Sequence, residues 1–288
     1  RVHFRQGQAA VGAHGAVAGH GGQQFVAVLG QRLAAAALAR HAPARVALAV
    51  TPGPADHERV YADLCALGRD SGVTPETFPP ATADDTDSVG TRARVISSLA
   101  ARAACGESLR AAPSERCATV IVTSLQALIQ PAPAPEALAA ASLNLQVGER
   151  YAFDDVVARL VAAGYERSAD VDAPGRIAVR GGLLDVWPPA AAAPWRAEFF
   201  DTELESLRTF DPVTQCSTVR GTAVWLPPCK EAALPTAQLI DLLPPGCAVL
   251  WFDHDRIRAG TFFPPDDVRA PLSWETLQAR VADRAPAW

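Results

Sequence analysis

Two short apolar runs decide the fold class: residues 44–50 read Ala-Arg-Val-Ala-Leu-Ala-Val, and residues 118–123 read Ala-Thr-Val-Ile-Val-Thr. Compact, valine-rich runs of this length are typical of strands that are buried on both faces. Apolar residues at helical spacing lie between them, at about residues 55–68 and 92–104. Buried strands that alternate with amphipathic helices predict an α/β fold with a parallel sheet over roughly the first 130 residues.

The pattern changes after Pro131, Pro133 and Pro135, which predict a domain boundary. One helix at about residues 153–163 is followed by extended segments at residues 165–171, 176–187, 195–210 and 218–226. This pattern indicates an α+β domain with an antiparallel sheet. A predicted helix at residues 236–243 and a buried strand at residues 247–252 then resemble the first part again. We therefore expect residues 1–133 to begin an α/β domain, residues 134–228 to be an inserted α+β domain, and residues 229–288 to return to the first.

Composition bounds the class of protein. The chain has 288 residues, of which 49% are hydrophobic and 20% charged, as expected for a globular protein of about two domains. It contains no run of about 18 uncharged apolar residues, so no membrane span is expected. Its first residues lack the apolar core of an export signal, which predicts a cytoplasmic location. The net charge of −5 argues against a general phosphate-binding surface.

The basic residues exclude a lysine-containing phosphate loop. Of the 26 lysines and arginines, only Lys230 is a lysine, so the chain has no phosphate-binding G-x-x-x-x-G-K-[ST] loop. The glycine-rich residues 12–22 stand where such a loop is expected, but they lack the lysine and the glycine spacing. The six cysteines are never paired as C-x-x-C, so a structural zinc site is not expected. We predict neither a cofactor nor a metal in this chain.

Two further motifs resemble catalytic or metal sites without completing them. His57-Glu58 begins like a zinc-protease helix, but Tyr61 stands where the second histidine ligand is needed. Asp253-His254-Asp255 follows a predicted strand, where α/β proteins often bind ligands, and is also typical of a turn that caps a helix. The sequence therefore predicts no catalytic residue and no enzymatic activity for this chain.

Two arginines of the predicted antiparallel sheet are the candidate binding residues. In residues 176–180, alternation places Ile177 and Val179 on one face and Ala178 and Arg180 on the other. Arg167 lies at the start of the same sheet. Within a segment that has 13 acidic and 8 basic residues (134–228), two such arginines suit recognition of carboxylates on a partner protein. The alternative, which composition alone favours, is an ion pair of each arginine with Asp170, Asp172 or Asp185.

A family resemblance enters at these residues. Tyr165-Glu166-Arg167, residues 178–186 (AVRGGLLDV), residues 198–200 (EFF), residues 203–208 (ELESLR) and residues 210–212 (FDP) follow one another in order and spacing. Together with residues 123–130 (TSLQALIQ), they resemble the UvrB-like module of bacterial transcription-repair coupling factor (Mfd). The resemblance implies a degenerate RecA-like domain with an inserted α+β domain of the UvrB-interaction type.

The resemblance also implies a function and a set of contact residues. The module recruits the repair ATPase UvrA to stalled RNA polymerase, in transcription-coupled nucleotide excision repair. Arg167 and Arg180 match two arginines with which the related excinuclease subunit UvrB docks UvrA, and Arg196 and Glu198 match a further interface strand. A third such arginine is replaced by Ala178 here, which leaves that contact set incomplete.

The parent protein that the resemblance implies is an ATP-dependent translocase that acts on double-stranded DNA and RNA polymerase through motor domains absent from this sequence. ATP and magnesium would bind there. Two alternatives remain at this point. The first alternative is that the chain is a fragment of a UvrB-type excinuclease or helicase ATPase that still binds nucleotide. The second is that its α+β domain is masked by other parts of a longer protein.

Overall fold

The computed structural model describes residues 34–82, 85–105, 118–231, 234–259 and 274–285. They fall into two compact units, each described by itself. The first, called the α/β unit, contains the described residues within Arg1–Pro80, Ser98–Pro131 and Gln238–Trp288. The second, called the α+β unit, contains those within Ala81–Ser97 and Ala132–Ala237.

A four-stranded parallel sheet organises the α/β unit. The strands have the order β14-β1-β3-β2, so the chain that follows the α+β residues returns to pair with β1. The strands are β1 (Val46–Thr51), β2 (Val73–Phe78), β3 (Ala118–Ser124) and β14 (Ala248–Trp251). The helices are α1 (described over residues 34–41), α2 (Pro54–Ser71), α4 (Leu125–Ile129), α7 (Leu239–Leu242), α8 (His254–Ala259) and α9 (Trp274–Arg284). Helix α3 (Thr86–Cys105) is divided: its residues up to Ser97 belong to the α+β unit, and those from Ser98 belong to the α/β unit.

Local sequence explains these elements. All residues of β1 and β3 are buried, as the apolar runs predict for strands covered on both faces. Helix α2 begins with Pro54, a residue suited to the first helical position, and is followed by Gly72 with φ +66°. Ser124 caps α4, because its hydroxyl accepts a hydrogen bond from the backbone N–H of Ala127 at 3.2 Å.

The α+β unit is built on a six-stranded sheet with the order β11-β10-β9-β8-β7-β6. Its neighbouring strands are antiparallel except for β6 and β7, which run parallel. The strands are β6 (Glu166–Arg167), β7 (Arg176–Arg180), β8 (Leu183–Val186), β9 (Trp195–Phe200), β10 (Glu203–Phe210) and β11 (Ser217–Gly221). The other elements after β3 are β4 (Pro131–Pro133), α5 (Pro135–Ala141), β5 (Leu143–Gln146), α6 (Phe153–Ala162), β12 (Ala223–Leu226) and β13 (Thr236–Gln238).

One face of this sheet forms the core of the α+β unit. Side chains of α6, β5 and β12 join it in a single apolar cluster. The buried tyrosine Tyr165 belongs to this cluster and donates its hydroxyl hydrogen bond to the carbonyl oxygen of Pro227 at 2.8 Å. The sheet residues in the cluster are Ile177, Leu184, Val186, Ala197, Leu204 and Leu207.

The structure divides several segments that the sequence presented as single elements. Residues 176–187 and 195–210 each form a hairpin of two strands. Residues 218–226 contribute to two sheets, since β12 pairs with β5 and not with the six-stranded sheet. The prediction of a helix over residues 236–243 is wrong at its start, where Thr236–Gln238 is a strand. The glycine-rich residues 12–22 lie outside the described residues.

Candidate partner-binding surface

Polar side chains of the six-stranded sheet lie on the face opposite its apolar core. Residues that are paired across neighbouring strands point to the same face of a sheet, so the register groups them into rows. One row joins Arg180, Leu183, Glu198 and Ser206, and the next joins Ala178, Asp185, Arg196, Arg208 and Arg220. We call the face that carries these two rows the outer face.

Arg196 is held firmly within the outer face. Its Nε and Nη2 donate hydrogen bonds to the two carboxylate oxygens of Asp185, at 2.7 and 2.8 Å. Nη2 also donates to the side-chain oxygen of Gln215, and the guanidinium carbon lies 4.5 Å from the centre of the Phe210 ring. The hydrogen bonds to Asp185 raise the pKa of Arg196. Arg196 thus positions its neighbours and has little capacity left for a partner.

Glu198 is also paired within the outer face. It accepts a hydrogen bond from the Ser206 hydroxyl at 2.5 Å and forms an ion pair with Arg208. The Ser206 hydrogen bond, together with Arg208, lowers the pKa of Glu198. About a third of the Glu198 side chain, 34%, remains exposed, so this carboxylate is charged, fixed in place and accessible.

Arg180 is an exposed cation at the β7 end of the outer face. It pairs with Asp170, and its Nη2 donates to the carbonyl oxygen of Ala169 at 2.8 Å. This is one of the intradomain ion pairs that the sequence left open as an alternative. The pair does not bury the charge, however, because 52% of the Arg180 side chain and 67% of the Asp170 side chain are exposed.

Arg167 lies elsewhere. It is exposed, and its strand partner is Ile177, a residue of the core face. Register therefore places Arg167 on the side opposite to Arg180, at the β6 edge of the sheet. Within the described part of the chain, no hydrogen bond or ion pair involves the Arg167 side chain. The structure brings Arg180, Arg196 and Glu198 to one face and does not bring Arg167 to them.

Sequence reasoning missed one prominent residue of this region. Phe200 ends β9 and is 72% exposed, whereas its neighbour Phe199 packs against the core cluster. In an alternating strand, two consecutive aromatic residues must point to opposite faces. That signal was present in the sequence, and it places Phe200 on the side of Arg196 and Glu198.

The carboxyl edge of the parallel sheet, the usual ligand position in α/β proteins, is occupied by its own hydrogen bonds. The Thr51 hydroxyl donates to the Thr123 carbonyl oxygen at 3.2 Å, and the Thr123 hydroxyl donates to the Phe78 carbonyl oxygen at 3.0 Å. His57 Nε2 lies 2.7 Å from the Thr77 hydroxyl oxygen. These side chains hold one another and present no unpaired group to a ligand.

The Asp253-His254-Asp255 triplet begins helix α8. The carboxylate of Asp253 accepts a hydrogen bond from the backbone N–H of Arg256 at 3.4 Å, the geometry of a helix cap. Across the described residues there is no group of three histidine, cysteine or acidic side chains arranged to hold a metal ion. None of the helices described for this chain has the length and apolar character that crossing a bilayer requires.

Comparison with known proteins classifies the α+β unit. Residues 143–231, from β5 to just beyond β12, match the family model of the UvrB interaction domain. This range contains the whole six-stranded sheet and therefore all four candidate residues.

Curated relatives extend the comparison beyond this domain. The chain is 37% identical over 114 residues to the transcription-repair-coupling factor of Bacillus subtilis, a match that covers 40% of this chain and 10% of that protein. It is 36% identical over 191 residues to the transcription-repair-coupling factor of Mycobacterium bovis, covering 64% and 14%, and 38% identical over 117 residues to that of Myxococcus xanthus, covering 40% and 10%.

These findings confirm the resemblance inferred from the sequence motifs. The chain carries a region of the UvrB-interaction type and is similar to the UvrB-like module of transcription-repair coupling factors. The matched segments span only 10–14% of the length of these relatives.

Proposed function

We propose that this chain is a recruiting module of a transcription-repair coupling factor, which binds UvrA and brings it to stalled RNA polymerase in the cytoplasm. The observation that carries the proposal is the outer face: a half-exposed arginine, Arg180, displayed by a rigid sheet inside the region that matches the UvrB interaction domain. An arginine on a stiff scaffold loses little conformational freedom when it binds a carboxylate, which favours its use as an interface anchor.

The other candidate residues have different tasks in this proposal. Arg196, locked to Asp185, keeps the middle of the outer face flat and fixed. Glu198 offers a fixed carboxylate to a basic group of the partner. Arg167 extends the contact only if UvrA wraps around the β6 edge, because register places it on the other side of the sheet.

The proposal assigns no catalytic activity to this chain. The parallel sheet with its returning strand β14 is the feature that supports a degenerate RecA-like domain. The only lysine of the sequence, Lys230, lies beside Gly164 in the α+β unit. We expect titration with ATP and magnesium to give no binding heat, whereas a clear binding isotherm would favour a nucleotide-using fragment. ATP-driven movement on double-stranded DNA belongs, in this proposal, to motor domains of the parent protein.

The central test is the affinity of UvrA for the Arg180→Ala variant. Loss of a charged interface anchor is expected to weaken binding by about 2 kcal/mol, which is roughly thirtyfold. Asp170→Ala, which removes the competing carboxylate, is expected to preserve or strengthen binding. The matched control is Arg280→Ala, since Arg280 is also a partly exposed arginine paired with an aspartate, Asp241, but lies in the α/β unit. Unchanged affinity of a folded Arg180→Ala variant would refute the proposal.

A further inference from the structure

We infer that strand β11 is a docking edge for an extended acidic peptide, which would add a seventh strand to the sheet. The site is separate from Arg180, because β11 and β7 are four strands apart in the order β11-β10-β9-β8-β7. The inference therefore goes beyond the proposed UvrA contact. It rests on three features: an open edge, exposed apolar side chains beside it, and an arginine without a counterion.

Within the described residues the edge is uncovered along Ser217–Gly221. Its pairing with β10 shifts register between Arg208 and Phe210, and just past β11 the Thr222 carbonyl oxygen accepts a hydrogen bond from the backbone N–H of Val147 at 2.9 Å. β11 is the terminal strand of the sheet, and within the described residues its sole strand partner is β10. Natural proteins commonly block such edges with lysine or proline. The five residues of β11, Ser-Thr-Val-Arg-Gly, contain neither. Exposed strand edges that are left unblocked are the sites at which extended peptides pair through their backbones.

Backbone direction identifies the groups that face the open edge. The N–H of Val219 points toward β10, since it donates to the Thr209 hydroxyl oxygen at 3.2 Å. Backbone groups of successive strand residues point to alternate sides. The N–H and C=O of Arg220 therefore face outward, where a new strand would pair with them.

Apolar exposure is concentrated on the same hairpin. Val213 is 89% exposed and Val219 is 65% exposed, and these are two of the four large apolar side chains that are exposed in the described part of the chain. The turn between β10 and β11 is rigid, because the Asp211 carboxylate accepts hydrogen bonds from the backbone N–H groups of Val213 and Thr214 at 2.8 and 2.9 Å. A peptide would meet a preformed surface with apolar side chains in fixed positions.

Charge indicates the kind of peptide. Arg220 is paired in register with Arg208, a like charge, and Arg208 is already bound to Glu198. Within the described residues no carboxylate pairs with Arg220. Because directly opposed like charges are unfavourable in a sheet and opposite charges favourable, an acidic residue on the added strand would supply the missing partner. A second copy of β11 offers only another arginine, which favours an acidic peptide as the occupant.

The test uses the whole chain and two end-blocked seven-residue probe peptides, one alternating valine with glutamate and one alternating valine with lysine. Affinity and amide shifts are measured by two-dimensional ¹⁵N NMR. We expect the glutamate peptide to bind, with the largest shifts in β11, and the lysine peptide to bind more weakly. Equal binding of both peptides, or shifts centred on another element, would overturn the inference.

Variants of Arg220 separate charge from backbone pairing. Arg220→Ala removes the charge and is expected to lower the affinity for the glutamate peptide by about two- to fivefold, as for loss of an exposed ion pair. Arg220→Pro also removes the outward-facing backbone N–H and is expected to lower the affinity for the glutamate peptide by a further factor of about five. Arg220→Glu is expected to reverse the preference between the two peptides. Because it introduces no proline, it tests the charge without disturbing the backbone of the strand.

A matched control and one alternative occupant complete the design. Arg176→Ala changes an arginine of the distant strand β7 and is expected to leave peptide binding unchanged. If Arg220→Pro is folded, by circular dichroism, and binds the glutamate peptide as tightly as the unmodified chain, the edge is not the site. Concentration-dependent self-association that Arg220→Pro abolishes would assign the edge to a second copy and overturn the inference.

Discussion

The two units of this chain bury different kinds of polar groups. In the described residues of the α/β unit, the buried polar side chains are uncharged at neutral pH, and His57 is among them because burial lowers its pKa. Among its described residues, the α+β unit buries two charged side chains, Arg92 and Asp185, each with an oppositely charged partner. A buried charge without a partner is costly in a sheet that is apolar on both faces, whereas the six-stranded sheet, with its single core face, holds the Asp185–Arg196 pair on its outer face. The Arg92–Glu231 pair lies off that sheet, between helix α3 and the residues after β12.

Breaking the Arg92 pair is expected to have the largest effect. Arg92 is fully buried, and its Nε lies 3.0 and 3.1 Å from the two carboxylate oxygens of Glu231. Arg92→Leu leaves the largely buried carboxylate of Glu231 without its partner and is expected to cost about 3–5 kcal/mol of unfolding free energy at pH 7. Urea denaturation measures the loss. The double variant Arg92→Leu/Glu231→Leu is the control, and we expect it to recover most of the stability.

The pH dependence of the Arg92→Leu variant follows from the carboxyl. Burial raises the pKa of Glu231 even beside Arg92, and removal of the cation raises it further. Between the unfolded and the raised folded pKa the native state binds more protons, so stability increases as the pH falls. The variant is therefore expected to lose less stability at pH 5 than at pH 7. An equal loss of unfolding free energy at pH 5 and pH 7 would show that the unpaired carboxylate is not the source of the loss.

A matched pair of aspartates sharpens the comparison between buried and exposed charge. Asp185 and Asp170 both pair with an arginine of the same sheet, but their side chains are 7% and 67% exposed. Asp185→Ala leaves the partly buried Arg196 without its carboxylate partner, with only Gln215 as an acceptor, and is expected to cost about 2–3 kcal/mol. Asp170→Ala is expected to cost less than about 1 kcal/mol. Equal losses in thermal or urea unfolding would contradict the distinction drawn here.

Protonation of His57, which places a charge inside the α/β unit, is expected to have the smallest effect on stability. Desolvation is the main cause of the lowered pKa of His57, and its contact with Thr77 keeps the ring in place. The unfolded chain therefore takes up a proton on this histidine at a higher pH than the native state does. Stability is expected to fall as the pH drops below about 6.5, by at most about 1.4 kcal/mol per pH unit. His57→Gln should flatten this part of the profile, and a profile unchanged by the substitution would exclude His57.

The elements that the sequence predicted best are those whose signal is local. β3 was predicted within one residue of its observed bounds, because a compact apolar run is typical of a strand that is buried on both faces, and every residue of β3 is buried. The hairpins were harder. Residues 176–187 read as one extended segment in which Gly181-Gly182 permits a bulge or a close approach of another backbone. The structure shows that Gly181, with φ +61°, turns the chain and that Gly182 lies too close to the Phe199 carbonyl oxygen to admit a side chain.

The candidate surface was predicted in part for the same reason. Alternation in β7 correctly separated Arg180 from Val179, since that rule depends on neighbours in sequence. The separation of Arg167 from Arg180 depends on how β6 pairs with β7, and residue spacing along one strand carries no information about pairing. Arg92 was missed altogether, because a helical arginine is usually solvated and its burial depends on Glu231, far along the chain.

The sequence by itself determined the two classes of sheet, the absence of a lysine-containing phosphate loop and the family resemblance, because periodicity, composition and motif order are properties of the linear chain. Tertiary structure alone decided which charges are buried, which arginines share a face and which strand is left at an open edge. Those properties arise when residues far apart in sequence come into contact and exclude water from one another. The free energy of that contact depends on the positions of the residues in space and not on their order in the chain.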